Sequence, residues 1–367
     1  MKVIAKNLTN LLGRTLMVLS LAGCLSSCEL VRDDLAECPV PVQEVRFVYD
    51  YNMEFANAFH NQFDCLSAYF FDSEGKLVAV EKVTERAILS DENYRMHPDL
   101  PAGKYRVIAY GGMDCEKTSF YQVNNLELGS HYSDIHVQLD RLVTVSDIPA
   151  EDREKYRRLH NQFYGAADFT VEEELDTYVT VKMMRNTNSI QIALQNEFGD
   201  PIDYRDFTFE ITDDNNDFDC DNNLLPTGEI IYRPWNTENR TVGLAGRADT
   251  DEDTDEEVQP REFHAALAQF VTSRLVKPTA RNGKRTSTML HIRRVEDGKT
   301  VLQVPLVNYM LMFKNDNTGA GLDYMDDQEF LDRENSWNFV FFLKDRLWVD
   351  THIVINDWEV RLNSADF

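Results

Sequence analysis

The chain has few basic residues for its acid content. Its 367 residues include 37 lysines and arginines against 63 aspartates and glutamates, which gives a formal net charge of −26. So acidic a chain repels phosphate backbones and anionic lipid headgroups, which argues against nucleic acid as a partner. We interpret the charge as a source of solubility at a crowded cell surface.

The usual motifs of catalysis are also absent. The 8 histidines form no H-E-x-x-H pair, and the chain has no G-x-S-x-G elbow, Walker loop or Rossmann fingerprint. Carboxylate pairs occur throughout so acidic a chain and therefore single out no glycosidase dyad. We predict a protein that is not an enzyme and that needs no metal or cofactor.

Cysteines are few, and none lies in a C-x-x-C pair, which excludes a zinc ribbon and a thioredoxin-like motif. Four of the 6 follow the N-terminal region: Cys38, Cys65, Cys115 and Cys220. Cys38 and Cys115 each border a predicted strand, so we expect a disulfide between them if the protein is exported. The alternative is that most of these cysteines stay unpaired.

The N-terminal apolar run is too short to span a membrane. It covers residues 15–25, about eleven residues, whereas the hydrocarbon layer of a bilayer needs about twenty. Lys2, Lys6 and Arg14 make the segment before this apolar run positively charged. The pattern predicts a secretory signal peptide over residues 1–27.

Small residues lead directly into two cysteines of this region, Leu-Ala-Gly before Cys24 and Leu-Ser-Ser before Cys28. Both stretches resemble a lipobox, after which a bacterial lipoprotein is cleaved and acylated, with palmitate among its acyl chains. We favour Cys28, because a fuller apolar core precedes it and a polar tether, residues 28–40, follows it. Cys24 is the alternative, because its small pair is more orthodox. Two or more acyl chains anchor a protein stably to a membrane.

Short apolar segments separated by turns dominate the rest of the chain. Asp-Ser-Glu-Gly at residues 72–75 predicts a hairpin turn, and Leu66, Ala68 and Phe70 should share one face of the preceding strand. With no helices between the strands, the pattern favours antiparallel β-sandwiches over βαβ units. The predicted strands are residues 45–49, 65–71, 77–83, 104–110, 135–139, 179–183, 190–194, 207–211, 229–233, 287–293, 300–304, 337–343 and 352–355.

The strand pattern breaks at residues 185–189, where we place a boundary between two β-domains, residues 41–186 and 187–367. One short helix is predicted after Pro149, with Tyr156, Leu159 and Phe163 as its apolar stripe. A second is predicted over residues 326–335.

One stretch has metal-like spacing. Asp217, Asp219 and Asp221 occupy positions 1, 3 and 5 of an EF-hand-like loop, but position 6 is Asn222 and position 12 is Gly228, where a bidentate glutamate belongs. We interpret the stretch as a hydrated loop rather than a calcium site.

Several stretches together resemble the FimB-type fimbrial anchor family, the minor subunits of fimbrillin-type pili in Bacteroidales. They span nearly the whole chain after the signal peptide, and their order and spacing carry the resemblance. They are the tether from Cys28 to Pro39, residues 47–52, 69–75 and 98–112, Arg-Asn-Thr-Asn at 185–188 and Ile-Asn-Asp-Trp at 355–358. Tyr110 stands where the family more often has tryptophan.

The resemblance implies two transthyretin-like β-sandwiches and a lipid anchor in the outer membrane. It also implies a role in holding fimbriae at the cell, with a fimbrillin and other minor subunits as partners. Assembly by strand addition uses backbone hydrogen bonds for strength and side-chain pockets for specificity.

A second hypothesis is a surface glycan-binding lipoprotein that serves a nutrient transporter. Sugar sites favour exposed aromatic platforms, and the tryptophans at 235, 337, 348 and 358 are the candidates. Three of them lie in or beside predicted strands, which favours core packing instead.

Overall fold

The computed structural model describes residues 41–140, 147–196, 200–225, 227–244, 261–278, 280–281, 284–285, 288–316, 322–344, 347–355 and 358–363. Strands dominate these residues, and the described residues from Val42 onward form one compact unit. The predicted all-β class is confirmed.

The strands follow the order of the chain. They are β1 (Gln43–Val48), β2 (Leu66–Phe71), β3 (Leu77–Val83), β4 (Gly103–Gly111), β5 (Phe120–Gln122), β6 (His136–Leu139), β7 (Phe163–Val171), β8 (Thr177–Arg185), β9 (Thr187–Asn196), β10 (Phe207–Asp213), β11 (Asp217–Asp219), β12 (Ile230–Tyr232), β13 (Asn236–Leu244), β14 (Arg261–Ser273), β15 (Ala280–Arg281), β16 (Lys284–Arg285), β17 (Met289–Arg294), β18 (Thr300–Pro305), β19 (Ser336–Lys344), β20 (Leu347–Ile355) and β21 (Trp358–Asn363). The α-helices are α1 (Phe59–Gln62), α2 (Arg86–Leu89), α3 (Arg153–Arg157), α4 (Leu306–Asp316) and α5 (Asp327–Arg333).

The first large sheet has six strands in the order β1-β8-β7-β4-β2-β3. Strand β2, the neighbour of the edge strand β3, is buried on both faces, because its side chains alternate between two cores on opposite sides of the sheet. Leu66, Ala68 and Phe70 share one core with residues of α1 and α2, as their spacing predicted. Tyr69 and Phe71 face a different core on the other side.

A three-stranded sheet, β11-β6-β5, contributes to that second core through Phe120, Val137 and Phe218. Strand β11 comes from the second half of the chain and pairs antiparallel with β6 from the first half. The predicted domain boundary is thus crossed by backbone hydrogen bonds between strands.

The second large sheet has the order β13-β14-β9-β19-β20-β21, and a four-stranded sheet, β12-β10-β17-β18, belongs to the same half. Ile190 and Ile192 of β9 and Trp337 and Phe339 of β19 are buried in one cluster with residues of the four-stranded sheet. The same cluster includes residues of α4 and α5 and continues into the core around Tyr69.

Most strand pairs are antiparallel, as predicted, but two are parallel. Strand β1 pairs parallel with β8, and β9 pairs parallel with β19. Parallel neighbours need a long crossover connection, and both pairs join strands that are far apart in sequence. The turn pattern between consecutive strands could not reveal such pairs.

The predicted helices are partly confirmed. Helix α5 lies within residues 326–335, and the Asp326 carboxylate caps it by accepting from the Glu329 amide at 2.8 Å. The helix predicted after Pro149 is shorter than expected, because α3 ends at Arg157 and Phe163 already belongs to β7. The apolar stripe was wrong, since alternation in β7 places Phe163 in the core of the first sheet.

Candidate functional site: the sheet junction and the strand edges

The acid-rich stretch around Asp217 is only partly the hydrated loop that the sequence predicted, because Asp221 and Asn223 are exposed but other polar side chains are buried. Asn215, Asn216, Asp217 and Asn222 are each at most 2% exposed. The Asp217 carboxylate accepts from the Gln138 amide at 3.0 Å and lies 3.6 Å from the His136 ring. Strand pairing brings these polar groups inside, where most of them bond to protein groups instead of water. Within the described ranges, the side-chain oxygen of Asn216 is buried without a hydrogen-bond partner.

This stretch does not gather metal ligands. Among the described residues, no group of three or more histidine, cysteine, aspartate or glutamate side chains could hold a metal ion. Asp219 instead stabilises the local turn by accepting from the Asp221 and Asn223 amides, both at 2.9 Å. The Asp221 carboxylate reaches across to Arg106 on β4 at 2.6 Å.

Between the two large sheets lies a polar cluster, which we define as the junction: Arg185, Asn186, Asn222, Arg274 and Asp332. Asn186, Asn222 and Asp332 are buried, and the two arginines are half-buried. The side-chain amides of Asn186 and Asn222 each donate to the other, at 2.7 and 2.9 Å. The Arg274 guanidinium donates to both oxygens of Asp332, at 2.8 and 2.7 Å, and to the Asn222 carbonyl at 2.9 Å. Such two-pronged pairs fix geometry as well as charge.

The Arg185 guanidinium is held in the junction by neutral groups. It donates to Asn161 at 2.7 Å, to Thr187 at 3.1 Å and to Asn335 at 3.2 Å. Burial lowers the pKa of this guanidinium, and the nearby Tyr49 phenol partly opposes that shift. Only one residue separates β8 from β9 here, so the connection between the sheets is short as well as hydrogen-bonded.

A second contact crosses from α5 to the loop after β1. The Arg333 guanidinium lies 4.2 Å from the ring centre of Tyr51 and 4.4 Å from that of Phe55. It also donates to the carbonyls of Asp50 and Asn52, both at 3.3 Å. This contact and the junction hold the two large sheets together.

The two edges of the first large sheet differ. On the outer side of β1, the amide of Val45 donates to the Met96 carbonyl at 2.8 Å, and the Met96 amide returns a bond at 3.0 Å. His97 also contacts the Gln43 carbonyl at 3.0 Å. The segment before β4 therefore covers the β1 edge.

Strand β3 is covered only at its beginning. The Leu77 amide donates to the Ser130 carbonyl, and the Leu77 carbonyl accepts from Gly129, both at 2.8 Å. Beyond Leu77, no described strand pairs with the outer side of β3. Val78 and Val80 are 38% and 37% exposed there. This is an open strand edge with exposed apolar side chains.

The expected disulfide partner was wrong. Cys115 bonds to Cys65, with 5.7 Å between their Cα atoms, while Cys220 is a buried free thiol. The bridge ties the start of β2 to the loop after β4, a proximity set by the pairing of Leu66 with Gly111. Cys24, Cys28 and Cys38 lie outside the described residues.

The tryptophans form no described platform. Trp337 is fully buried, and the half-buried Trp235 is covered by the Arg158 guanidinium at 4.8 Å. The side chains of Trp348 and Trp358 lie outside the described part of the chain. Sequence reasoning missed the junction because asparagines in turns usually stay at the surface; the Arg-Asn-Thr-Asn stretch at 185–188 was its only signal.

Together, the sheets and the junction define an all-β protein of several packed sheets. A profile of the family described as fimbrillin-A associated anchor proteins Mfa1 and Mfa2 matches residues 35–364. The chain belongs to this family, which supports a fimbrial accessory role, association with other fimbrial subunits and a cell-surface location.

Three solved structures are similar to the chain. A candidate adhesin of Bacteroides thetaiotaomicron is 41% identical, with a TM-score of 0.75, and covers 90% of this chain and 100% of its own. A candidate polysaccharide-binding protein of the same species is 27% identical, with a TM-score of 0.69, over 89% and 100%. The fimbrial anchor protein Mfa2 of Porphyromonas gingivalis is 13% identical, with a TM-score of 0.58, over 88% and 99%, and shares the fold. A comparison with curated protein sequences gives no match.

The helices in the described ranges are too short or too polar to cross a membrane.

Proposed function

We propose that this protein is an outer-membrane lipoprotein that holds fimbriae at the cell surface. In this proposal residues 1–27 are the signal peptide, Cys28 carries the acyl chains, with Cys24 as the alternative, and residues 28–40 form the tether. Residues 41–186 and 187–367 are the two β-domains that the tether presents. The family supports the fimbrial role, and the N-terminal sequence supports the lipid anchor.

The observation that carries the mode of assembly is the open edge of β3. An extended segment of a fimbrillin could add beside β3 and complete its unused backbone hydrogen bonds. The side chains of that segment would lie next to Val78 and Val80 and remove their apolar surface from water. The covered edge of β1 offers no such place near Val45.

The junction gives the anchor its mechanical continuity. The chain reaches β1 directly after the tether. Arg185 at the end of β8 bonds to Asn335 beside β19 of the second sheet, and Asn186 bonds to Asn222 in the turn after β11. A load applied to either sheet would then be shared by several hydrogen bonds and by the strand pair β6–β11 rather than by one connection.

Lipid attachment is tested by labelling cells with radioactive palmitate. We expect label in the wild type and in Cys24→Ser, and none in Cys28→Ser, which should leave the membrane fraction. Label retained in Cys28→Ser but lost in Cys24→Ser would move the lipid to Cys24. Absence of label from the wild type would overturn the lipoprotein proposal.

The β3 edge is tested by pull-down from detergent-solubilised outer membranes. In a Val78→Lys and Val80→Lys double variant, the introduced charges should reduce recovery of the fimbrillin about tenfold or more. Tyr178→Lys is the matched control, because Tyr178 is 68% exposed on the inner strand β8. Equal recovery by the double variant and the control would contradict binding at β3.

Surface display is the remaining part of the proposal, and the acidic tether is compatible with it. Protease added to whole cells should cleave the wild type, and changing Asp33 and Asp34 to Ala should reduce that cleavage. Unchanged cleavage would show that Asp33 and Asp34 are not needed for surface display.

The glycan-binding alternative gains nothing from the tryptophans, because one is buried and another is covered by an arginine.

A further inference from the structure

We propose that Asp114 positions Lys82 so that a fimbrial subunit can pair with the open edge of β3. This inference rests on the proposed strand addition at β3 and names the residues that permit it. Lys82 lies near the end of β3, and 46% of its side chain is exposed. Charged side chains, lysine above all, are a common means by which proteins prevent a foreign strand from pairing with an edge. At an edge that accepts a partner, such a lysine has to be held aside.

Lys82 lies on the face of the sheet that a partner strand would extend. The strand register places Ser67 of β2 opposite Lys82, and it places Tyr69 opposite Val80. Directly opposite residues of an antiparallel pair share a face, and alternation along β3 brings Val78 to the same face. Alternate side chains of an added strand would therefore lie beside Val78, Val80 and Lys82.

The Asp114 carboxylate draws the Lys82 ammonium away from the open side of β3. One oxygen of this carboxylate lies 2.8 Å from the ammonium nitrogen. The same oxygen accepts from the Ser67 hydroxyl at 3.2 Å and from the Tyr69 hydroxyl at 3.4 Å. Because Ser67 and Tyr69 belong to β2, the carboxylate lies over β2 and directs the lysine inward. Burial and the charge of Asp114 raise the pKa of Tyr69, which keeps its hydroxyl a donor.

The backbone of Asp114 has an unusual conformation. Its φ is 58°, in the left-handed region that residues other than glycine seldom adopt, although aspartate and asparagine tolerate it better than most. Such a conformation persists when the surrounding structure fixes it. The position of the Asp114 carboxylate is therefore set by the neighbours of this residue in the chain.

The disulfide fixes one of these neighbours. Cys115 directly follows Asp114, and it is bonded to Cys65, which is 1% exposed and directly precedes β2. On the other side of Asp114, the Met113 side chain is 1% exposed and belongs to the core that contains Tyr69. Asp114 is thus held between a bridged residue and a buried one. The disulfide reaches the β3 edge through Asp114 and Lys82.

The lysine at the other end of β3 lies where the edge is already covered. Lys76 forms an ion pair of 2.6 Å with Glu74, and its backbone forms an isolated bridge with His131. The next residue, Leu77, bonds to Ser130. A partner strand does not reach this part of the edge, so the Lys76–Glu74 pair offers a matched control.

Pull-down of full-length variants from detergent-solubilised outer membranes tests the positioning role. Asp114→Asn retains the shape of the side chain and the tolerance of a positive φ, but it removes the charge that holds Lys82. Recovery of the fimbrillin should fall about fivefold, the size of effect expected from one exposed charge pair. Adding Lys82→Gln should restore recovery to the wild-type level, because no lysine then has to be held aside. Glu74→Gln, the control, should leave recovery unchanged.

The contribution of the disulfide is tested in the same way. Cys115→Ser should lower recovery of the fimbrillin by a similar factor, and the double variant with Lys82→Gln should regain it. Removal of a surface lysine does not repair a folding defect, so this rescue separates positioning from stability. Melting temperatures of the purified variants identify the temperature at which all of them are folded, and the pull-down is done below it.

Two results would overturn the inference: recovery by Asp114→Asn equal to the wild type, or a loss in Asp114→Asn or Cys115→Ser that Lys82→Gln does not restore. The Val78→Lys and Val80→Lys double variant separates this inference from the proposed contact. If that variant loses the fimbrillin while Asp114→Asn retains it, the β3 contact stands and only the positioning role fails. Wild-type recovery by all these variants would remove the β3 contact itself.

Discussion

The two edge strands of the first large sheet differ in how far other segments of the chain cover them. The β1 edge is bonded to Met96 of the same chain, and its side chains Val45 and Phe47 are buried in the core. Among the described residues, the outer side of β3 is bonded only at Leu77, and Val78 and Val80 remain exposed. Proteins usually protect open edges, and this contrast is the reason for proposing β3 as the contact for a fimbrial partner.

The difference predicts that the β1 edge supports folding and the β3 edge does not. Phe47→Ala should lower the free energy of unfolding by about 3–5 kcal/mol, because Phe47 is 2% exposed and its ring stacks 5.9 Å from that of Phe59. Val80→Ala should change it by less than about 0.5 kcal/mol. Urea denaturation of both variants measures the contrast. Similar losses of unfolding free energy in the two variants would contradict the difference between the edges.

The junction should contribute nearly as much to the free energy of unfolding as the β1 edge does. Asp332→Ala leaves the Arg274 guanidinium without its carboxylate, and we expect a loss of about 3 kcal/mol. A double variant, Arg274→Met with Asp332→Leu, should recover most of that stability, since it removes both charges. Thermal and urea unfolding provide the measurement. No rescue by the double variant would show that the pair acts through packing rather than charge.

The disulfide offers a second way to compare the two edges of the sheet. Cys65 adjoins β2, which is the neighbour of β3. Cys115→Ser opens a bridge that spans a sequence separation of 50 and should cost about 2–4 kcal/mol. Hydrogen exchange should accelerate more in β3 than in β1, since the bridge holds the β3 side of the sheet. Equal acceleration in both strands would show that the bridge stabilises the sheet as a whole.

The smallest expected effect is a dependence on pH. Burial, helped by Lys117 and Arg158, lowers the pKa of His160, while Asp64 opposes the shift. A histidine with a lowered folded pKa stabilises above its unfolded pKa of about 6.5, and this stability is lost as pH falls through the folded value. His160→Gln should therefore flatten the stability profile below about pH 6.5. If the dependence of stability on pH is unchanged, another group causes the acid sensitivity. His291 is one such group, because burial also lowers its pKa.

Local features of this fold could be predicted from the sequence, and long-range contacts could not. The alternation of Leu66, Ala68 and Phe70 and the turn ending at Gly75 follow from short-range preferences, and the structure has both. The partner of Cys115 depends on which strands pair, which no spacing specifies. Burial of Asp217 likewise depends on β6, some eighty residues earlier in the chain. The open edge became visible only once the strand order was known.

The first measurement should be photo-crosslinking in cells from one position on each edge. A photoreactive amino acid would replace Val80 on β3 or Arg46, which is exposed on β1. The account predicts a crosslink to the fimbrillin from position 80 and none from position 46. A crosslink from position 46 with none from position 80 would contradict the assignment of the open β3 edge as the fimbrial contact.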